Sequence, residues 1–163
     1  MSVLSDAEIA GLCTAPAPLI EPFREEHLTP NGYDLSVNEI HILATGEDRL
    51  AEGQTTINIP PGNAFLVSTV EYLRIPNGLT GTLWLRSSWA RKGVVASFGM
   101  VDAGFQGNLT FGAHYLGHRP LVMELPVRFA QIVFTTMSKA AGREYRLHSG
   151  NYYGQRGLTH ARG

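Results

Sequence analysis

Leu121-Val122-Met123-Glu124-Leu125-Pro126-Val127-Arg128-Phe129-Ala130-Gln131-Ile132-Val133-Phe134-Thr135-Thr136 decides the fold class. Its first five residues mostly alternate, the two-residue period of a half-buried strand. Phe129–Phe134 is nearly all apolar, as expected of a central strand covered on both faces. Working outward, Thr82–Arg86 alternates in the same way. Ile40–Leu43, Thr55–Ile59, Ala64–Ser68, Glu71–Ile75, Gly81–Leu85, Val94–Phe98 and Asn108–Tyr115 read as further short strands. Pro60-Pro61-Gly62-Asn63 and Pro76-Asn77-Gly78 read as turns between them. So many short strands at close spacing predict an all-β sandwich, jelly roll or small barrel. One helix is expected: Ser5-Asp6-Ala7-Glu8 is a capping box, and Pro16 and Pro18 end the helix soon after Gly11. Leu19–Phe23 reads as extended or irregular, and Leu28–Val37 as turn residues running into a strand.

The chain has 163 residues, one domain by size. A formal net charge of −1 argues against a bulk nucleic-acid partner, which needs a basic surface. The single cysteine, Cys13, excludes an intramolecular disulfide and a cysteine-based metal site, and fits a cytoplasmic location. No apolar run approaches the roughly 20 residues that span a bilayer, so no membrane partner is expected. The N-terminus lacks the charged and apolar regions of a signal peptide. From Ala140 the composition shifts to Gly, Arg, Tyr and His, with few aliphatics to pack. Residues 1–18 therefore read as a helical region and 140–163 as a tail, either frayed or closing over a ligand.

Two segments carry candidate chemistry. Arg86-Ser87-Ser88-Trp89-Ala90-Arg91 places two fixed cations and two hydroxyls within about one helical turn. Arginine forks and a helix start suit phosphate oxygens, although a solvated surface turn has the same composition. Asp102 follows Met100-Val101 and precedes Ala103-Gly104. A carboxylate there can take a proton from water, or it can merely cap the turn. Phe105 suits packing on a sugar ring but equally suits a core. Gly104, Gly107 and Gly112 mark places where the backbone turns or approaches a ligand closely. In the tail, Gly150–Gly157 mixes Tyr153, Gln155 and Arg156 between glycines, a composition for a flap. The six histidines form no metal-ligand pattern with cysteine, which excludes a zinc deaminase; His114 and His118 lie across an expected hairpin turn.

Five motifs in order resemble the dCTP deaminase/dUTPase superfamily, most closely its archaeal-type dUTPase branch. They are Pro30–Leu35 (P-x-G-Y-D-L), Arg86–Gly93 (R-S-S-x-A-R-x-G), Val101–Gly107 (the I-D-x-G-aromatic-x-G pattern), Arg128–Ile132 (R-x-x-Q-I) and the closing Tyr153–Gly157. The resemblance implies a distorted antiparallel β jelly roll, dUTPase-like, assembled as a homotrimer with sites between subunits. It implies that Asp102 positions the attacking water. Arg86, Ser87, Ser88, Arg91 and Gln155 would hold the triphosphate, with Mg²⁺ bridging phosphates and held by phosphate and water rather than by protein ligands. Phe105 would sit against the deoxyribose. Met100, Val101, Asn108, Thr110 and Tyr153 would line base and sugar, largely through main chain, and Gln131 would support the Asp102 loop or contact phosphate. The family's deaminases carry a glutamate five positions after the second glycine of the Asp motif. Here that position is Gly112, and no carboxylate lies between Asp102 and Glu124. The expected activity is therefore dUTP diphosphatase. The alternatives are a zinc-independent dCTP deaminase, alone or bifunctional, and a non-catalytic deoxynucleotide-binding module.

Overall fold

The computed structural model describes residues 2–43, 53–143, 145–148 and 150–161. The expected capping box forms: the Ser5 amide donates to Glu8 Oε2 at 2.8 Å, and the Glu8 amide to Ser5 Oγ at 3.4 Å. It starts helix α1, Asp6–Cys13, which sends Ile9 into the core and stops before the prolines. The chain then runs through β1 (Ile20–Glu21), β2 (Leu28–Thr29), β3 (Gly32–Ile42), β4 (Thr56–Ile59), β5 (Ala64–Arg74) and β6 (Leu79–Leu85). Helix α2 (Ser87–Arg91) precedes β7 (Val94–Ser97), β8 (Met100–Val101), β9 (Gln106–Tyr115), β10 (Leu121–Glu124) and β11 (Val127–Thr136). A short helix, α3 (Tyr145–His148), and a 3₁₀ turn at Gly150–Tyr152 follow.

The main sheet runs β7-β9-β5-β3-β11-β6-β8, with β1 added to β5 and β2 to β3; β10 and β4 pair separately. All pairings between these strands are antiparallel. The sheet curls around one core, the distorted jelly roll that the family resemblance implies and one of the architectures the strand pattern allows. Phe129–Phe134 lies in β11, between β3 and β6, and is central as its apolar run requires. Phe129 gathers the core aromatics: Trp89, Phe111 and Phe65 stand 5.5, 5.8 and 6.4 Å from its ring centre.

Two local expectations change. Ala64–Ser68 and Glu71–Ile75 are one strand, β5, whose register against β9 slips between Ser68 and Tyr72. The irregularity is held by Asn108, whose amide nitrogen lies 3.0, 3.2 and 3.1 Å from the carbonyls of Thr69, Val70 and Glu71. Ile40–Leu43 is not separate either: Ile40–Ile42 ends the eleven-residue β3, which shifts register between Val37 and Glu39, and Leu43 lies just past it. Ile20–Glu21, within the stretch read as extended or irregular, is extended and pairs with Leu73 and Tyr72. Local pattern shows none of these because each depends on a partner distant in sequence. No described helix is long and apolar enough to cross a membrane.

Candidate active site

Asp102 stands just past β8, which borders the sheet beside β6. Main chain closes its turn: the Phe105 amide donates to the Asp102 carbonyl at 3.1 Å. Ile75 clamps the same turn from β5's side, accepting from Gly104 at 3.0 Å and donating to the Phe105 carbonyl at 2.8 Å. Among the described residues the Asp102 carboxylate accepts no hydrogen bond, and its side chain is exposed. It therefore does not act as the turn's cap. It faces a cavity of about 850 Å³ that also presents Met100, Phe105, Gly112, Tyr145 and Gln155.

Val101 and Thr110 line this cavity too, and Asp102 is the only carboxylate among its described lining residues. Gly112 pairs with Leu66 and Ser97, and a Cβ built there would meet only Leu66 Cδ2, at 3.8 Å. That is ordinary contact, so crowding does not impose glycine. Position 112 would accommodate the start of a side chain, and it has no group that moves a proton.

The clamp segment lies elsewhere in the chain. Arg86 precedes α2 as its N-cap, and Ser87, Ser88 and Arg91 are exposed on the helix. The indole of Trp89 anchors this turn by donating to the Arg128 carbonyl at 2.9 Å. Arg86 Nε meets Asp34 Oδ2 at 2.9 Å, and Arg128 approaches the same oxygen at 3.5 Å. Asp34, from the first motif, was not singled out in the sequence; it orients the arginine and offsets its charge. None of Arg86, Ser87, Ser88 and Arg91 lines the Asp102 cavity of the same chain.

The tail returns to the body beside Asp102. It bonds to the stretch of β9 just before that strand meets β7, bridging Gly107 through Gln155. The Asn108 amide donates to the Gln155 carbonyl at 3.1 Å, and Gln155 Nε2 donates to the Asn108 carbonyl at 2.5 Å. Thr110 Oγ1 accepts from Thr159 at 3.1 Å, and the Arg156 guanidinium stacks 3.9 Å over Tyr72. Gln155 thus sits in the cavity wall, with its side chain turned to main chain. Asn108, expected at the base or sugar, is buried and joins the β5 irregularity to the tail. Tyr153 lines a separate polar cavity of about 430 Å³ with Asn77, Gln106 and Arg146. Gln131 donates to Thr29 Oγ1 at 2.6 Å, just before the first motif. His114 Nε2 lies 2.8 Å from the Gly62 carbonyl. Among the described residues no three His, Cys, Asp or Glu side chains gather to hold a metal. A divalent ion at Asp102 would have to take most of its ligands from phosphate and water.

A third cavity, about 340 Å³, holds Glu71 and His27 with Arg24 and Arg128. Glu71 is buried, its Oε2 accepts the Ser36 amide at 2.9 Å, and burial pushes its carboxyl from the ordinary 4.5 up to about 7. Folding therefore favours the neutral acid, and the stability this contributes below pH 4.5 is lost as pH rises to about 7. A shift of this size corresponds to roughly 3 kcal/mol. His27 works in the opposite direction, because burial lowers its pKa and favours neutral imidazole. Glu71→Gln isolates the first effect. In thermal melts its advantage over the parent chain is expected to grow from pH 4.5 to pH 8; a constant difference would show that Glu71 does not titrate in this range.

The chain belongs to the dCTP deaminase-like family, whose model matches residues 3–137. A relative from Thermococcus gammatolerans named dCTP deaminase is 40% identical over 141 residues, covering 86% of this chain and 87% of its own. A Pyrobaculum islandicum relative of the same name is 30% identical, covering 99% and 97%. Among solved structures, the dCTP deaminase of Agrobacterium tumefaciens superposes with a TM-score of 0.69 at 17% identity, over 83% of this chain and 48% of that one. This chain thus matches about half of that protein's length. A dUTPase from phage phi11 of S. aureus, which coordinates a structural Mg(II) ion, gives 0.54 at 20% identity, over 76% and 88%. These structural likenesses establish the fold, a scaffold common to proteins of both names.

Proposed function

We propose that the chain is a dUTP diphosphatase, converting dUTP and water to dUMP and pyrophosphate in cytoplasmic deoxynucleotide metabolism. One observation carries this choice: the cavity beside Asp102 has glycine at position 112, where a deaminase of this family would need its glutamate. Asp102 takes the proton of a water attacking the α-phosphorus. The bond from that phosphorus to the oxygen bridging the β-phosphate breaks, and pyrophosphate leaves. Mg²⁺ would neutralise charge on the phosphates, held mainly by their oxygens and by water. Phe105 would bound the deoxyribose.

The Arg86–Arg91 clamp would come from a neighbouring copy in a homotrimer, since one chain does not bring it to its own Asp102 cavity. Met100 and Trp84 support such an assembly. They are 65% and 59% exposed, on β8 and the adjoining β6, a costly display of large apolar surface unless a partner covers it.

A zinc-independent dCTP deaminase, alone or bifunctional, is the second proposal, favoured by the names of the Thermococcus and Pyrobaculum relatives. Incubation with Mg²⁺ and dUTP, then with dCTP, separates the two when pyrophosphate and ammonia are assayed independently. Pyrophosphate from dUTP without ammonia from dCTP is the expected result. Ammonia from dCTP would overturn the inference from Gly112. Bound nucleotide with neither product would indicate a binding module.

A further inference from the structure

We infer that Tyr145 is a positioning residue of the Asp102 site, holding the Phe105 ring rigid and so setting the preference for deoxyribose over ribose. This rests on the nucleotide reading above. Tyr145 comes from the tail, far in sequence from the Asp102 turn, yet it docks directly onto it. Gly104 has φ +83°, and a Cβ there would lie 3.2 Å from Tyr145 Cβ and 2.9 Å from Asn77 Oδ1. Only a glycine turn lets Tyr145 sit so close. The tail is tied down just before this point, where the Ala141 amide donates to the Asn77 carbonyl at 2.9 Å.

The Tyr145 ring meets Phe105 edge-on, with centroids 5.7 Å apart and planes at 79°. The tip of Phe105 reaches the backbone of Gly107: a Cβ there would be 3.0 Å from Phe105 Cζ. The buried Phe105 ring thus packs against both Gly107 and Tyr145. Tyr145 also separates two cavities, lining both the one that holds Asp102 and the polar one beside Arg146. Burial and the Asp102 charge both raise the pKa of its phenol, so Tyr145 stays neutral beside the carboxylate. An apolar wall rejects an extra hydroxyl only weakly, and less still if it can retreat. Support from the side of Phe105 is therefore where sugar selectivity would be made or lost.

The test is calorimetric binding to intact protein carrying Asp102→Asn, so that no turnover intervenes. Kd is measured for dUTP, UTP, dCTP and CTP, with Tyr145 intact, Tyr145→Phe and Tyr145→Leu. Phe keeps the ring contact and is expected to retain the deoxy-to-ribo ratio. Leu is expected to lower that ratio about tenfold or more, chiefly by improving ribonucleotide binding, an effect that general loosening would not produce. An unchanged ratio in Tyr145→Leu, or equal loss for both sugars, overturns the inference and leaves the nucleotide reading standing. Failure of the parent to bind any of the four overturns both. Including the cytosine pair keeps the result independent of which base the enzyme uses.

Discussion

Asp102→Asn is expected to lower dUTP hydrolysis by about 10²–10⁴-fold, while triphosphate affinity stays within a few-fold. The amide keeps the shape of the side chain and loses its basicity. The turn does not depend on the carboxylate, because the Phe105 amide and Ile75 close it through main chain. The variant should therefore melt with the parent, and lost turnover would reflect lost chemistry. Single-turnover kinetics beside equilibrium binding separates the two. Near-full turnover in Asp102→Asn would remove Asp102 as the base.

The same variant tests whether sites are shared. Arg91→Ala, on the exposed face of α2, should also be inactive in pure form. Co-refolded at equal amounts with Asp102→Asn, it should regain activity at about a quarter of the sites if each site joins the clamp of one copy to the aspartate of another. No recovery in verified mixed trimers would mean that each chain supplies both parts of its own site.

Asn108→Ala is expected to cause the largest stability loss, about 3 kcal/mol, since each buried polar group left without a partner costs roughly 1–3 kcal/mol. Asn108 Nδ2 lies within hydrogen-bonding distance of three successive carbonyls at the β5 irregularity, and its Oδ1 accepts the Gly157 amide at 3.4 Å. Alanine leaves those carbonyls in the interior and loosens the tail where it crosses β9. The melting temperature should fall by roughly 6–12 °C, and amide exchange should accelerate at Gly157, whose amide donates to the Asn108 side chain. Parent-like melting with nucleotide binding lost would instead assign Asn108 to the base-reading edge.

Much of the fold was legible because local chemistry suffices for it. Ser5 and Glu8 close a capping box with each other, and the apolar run of β11 has the pattern of a central strand. The five motifs and the glycine at 112 were readable for the same reason, since spacing along the chain carries them. Strand continuity was less legible. β5 looks broken at Thr69–Val70, and the irregularity there is held by Asn108, almost forty residues away.

By itself, then, the sequence determined the all-β class, the family motifs, the turn that bears Asp102 and the lack of a second carboxylate near it along the chain. Only the tertiary structure decided which groups meet. It paired Arg86 with Asp34, turned Gln131 toward Thr29, made Asn108 a structural tie and brought Tyr145 onto Gly104. The physical reason is that hydrogen bonds and ring contacts are satisfied in three dimensions. A polar side chain's role is set by the partners the curled sheet brings to it, and residue type alone does not name them. The arginine clamp shows this most clearly: its motif is legible, yet within one chain it lies outside the cavity that holds Asp102.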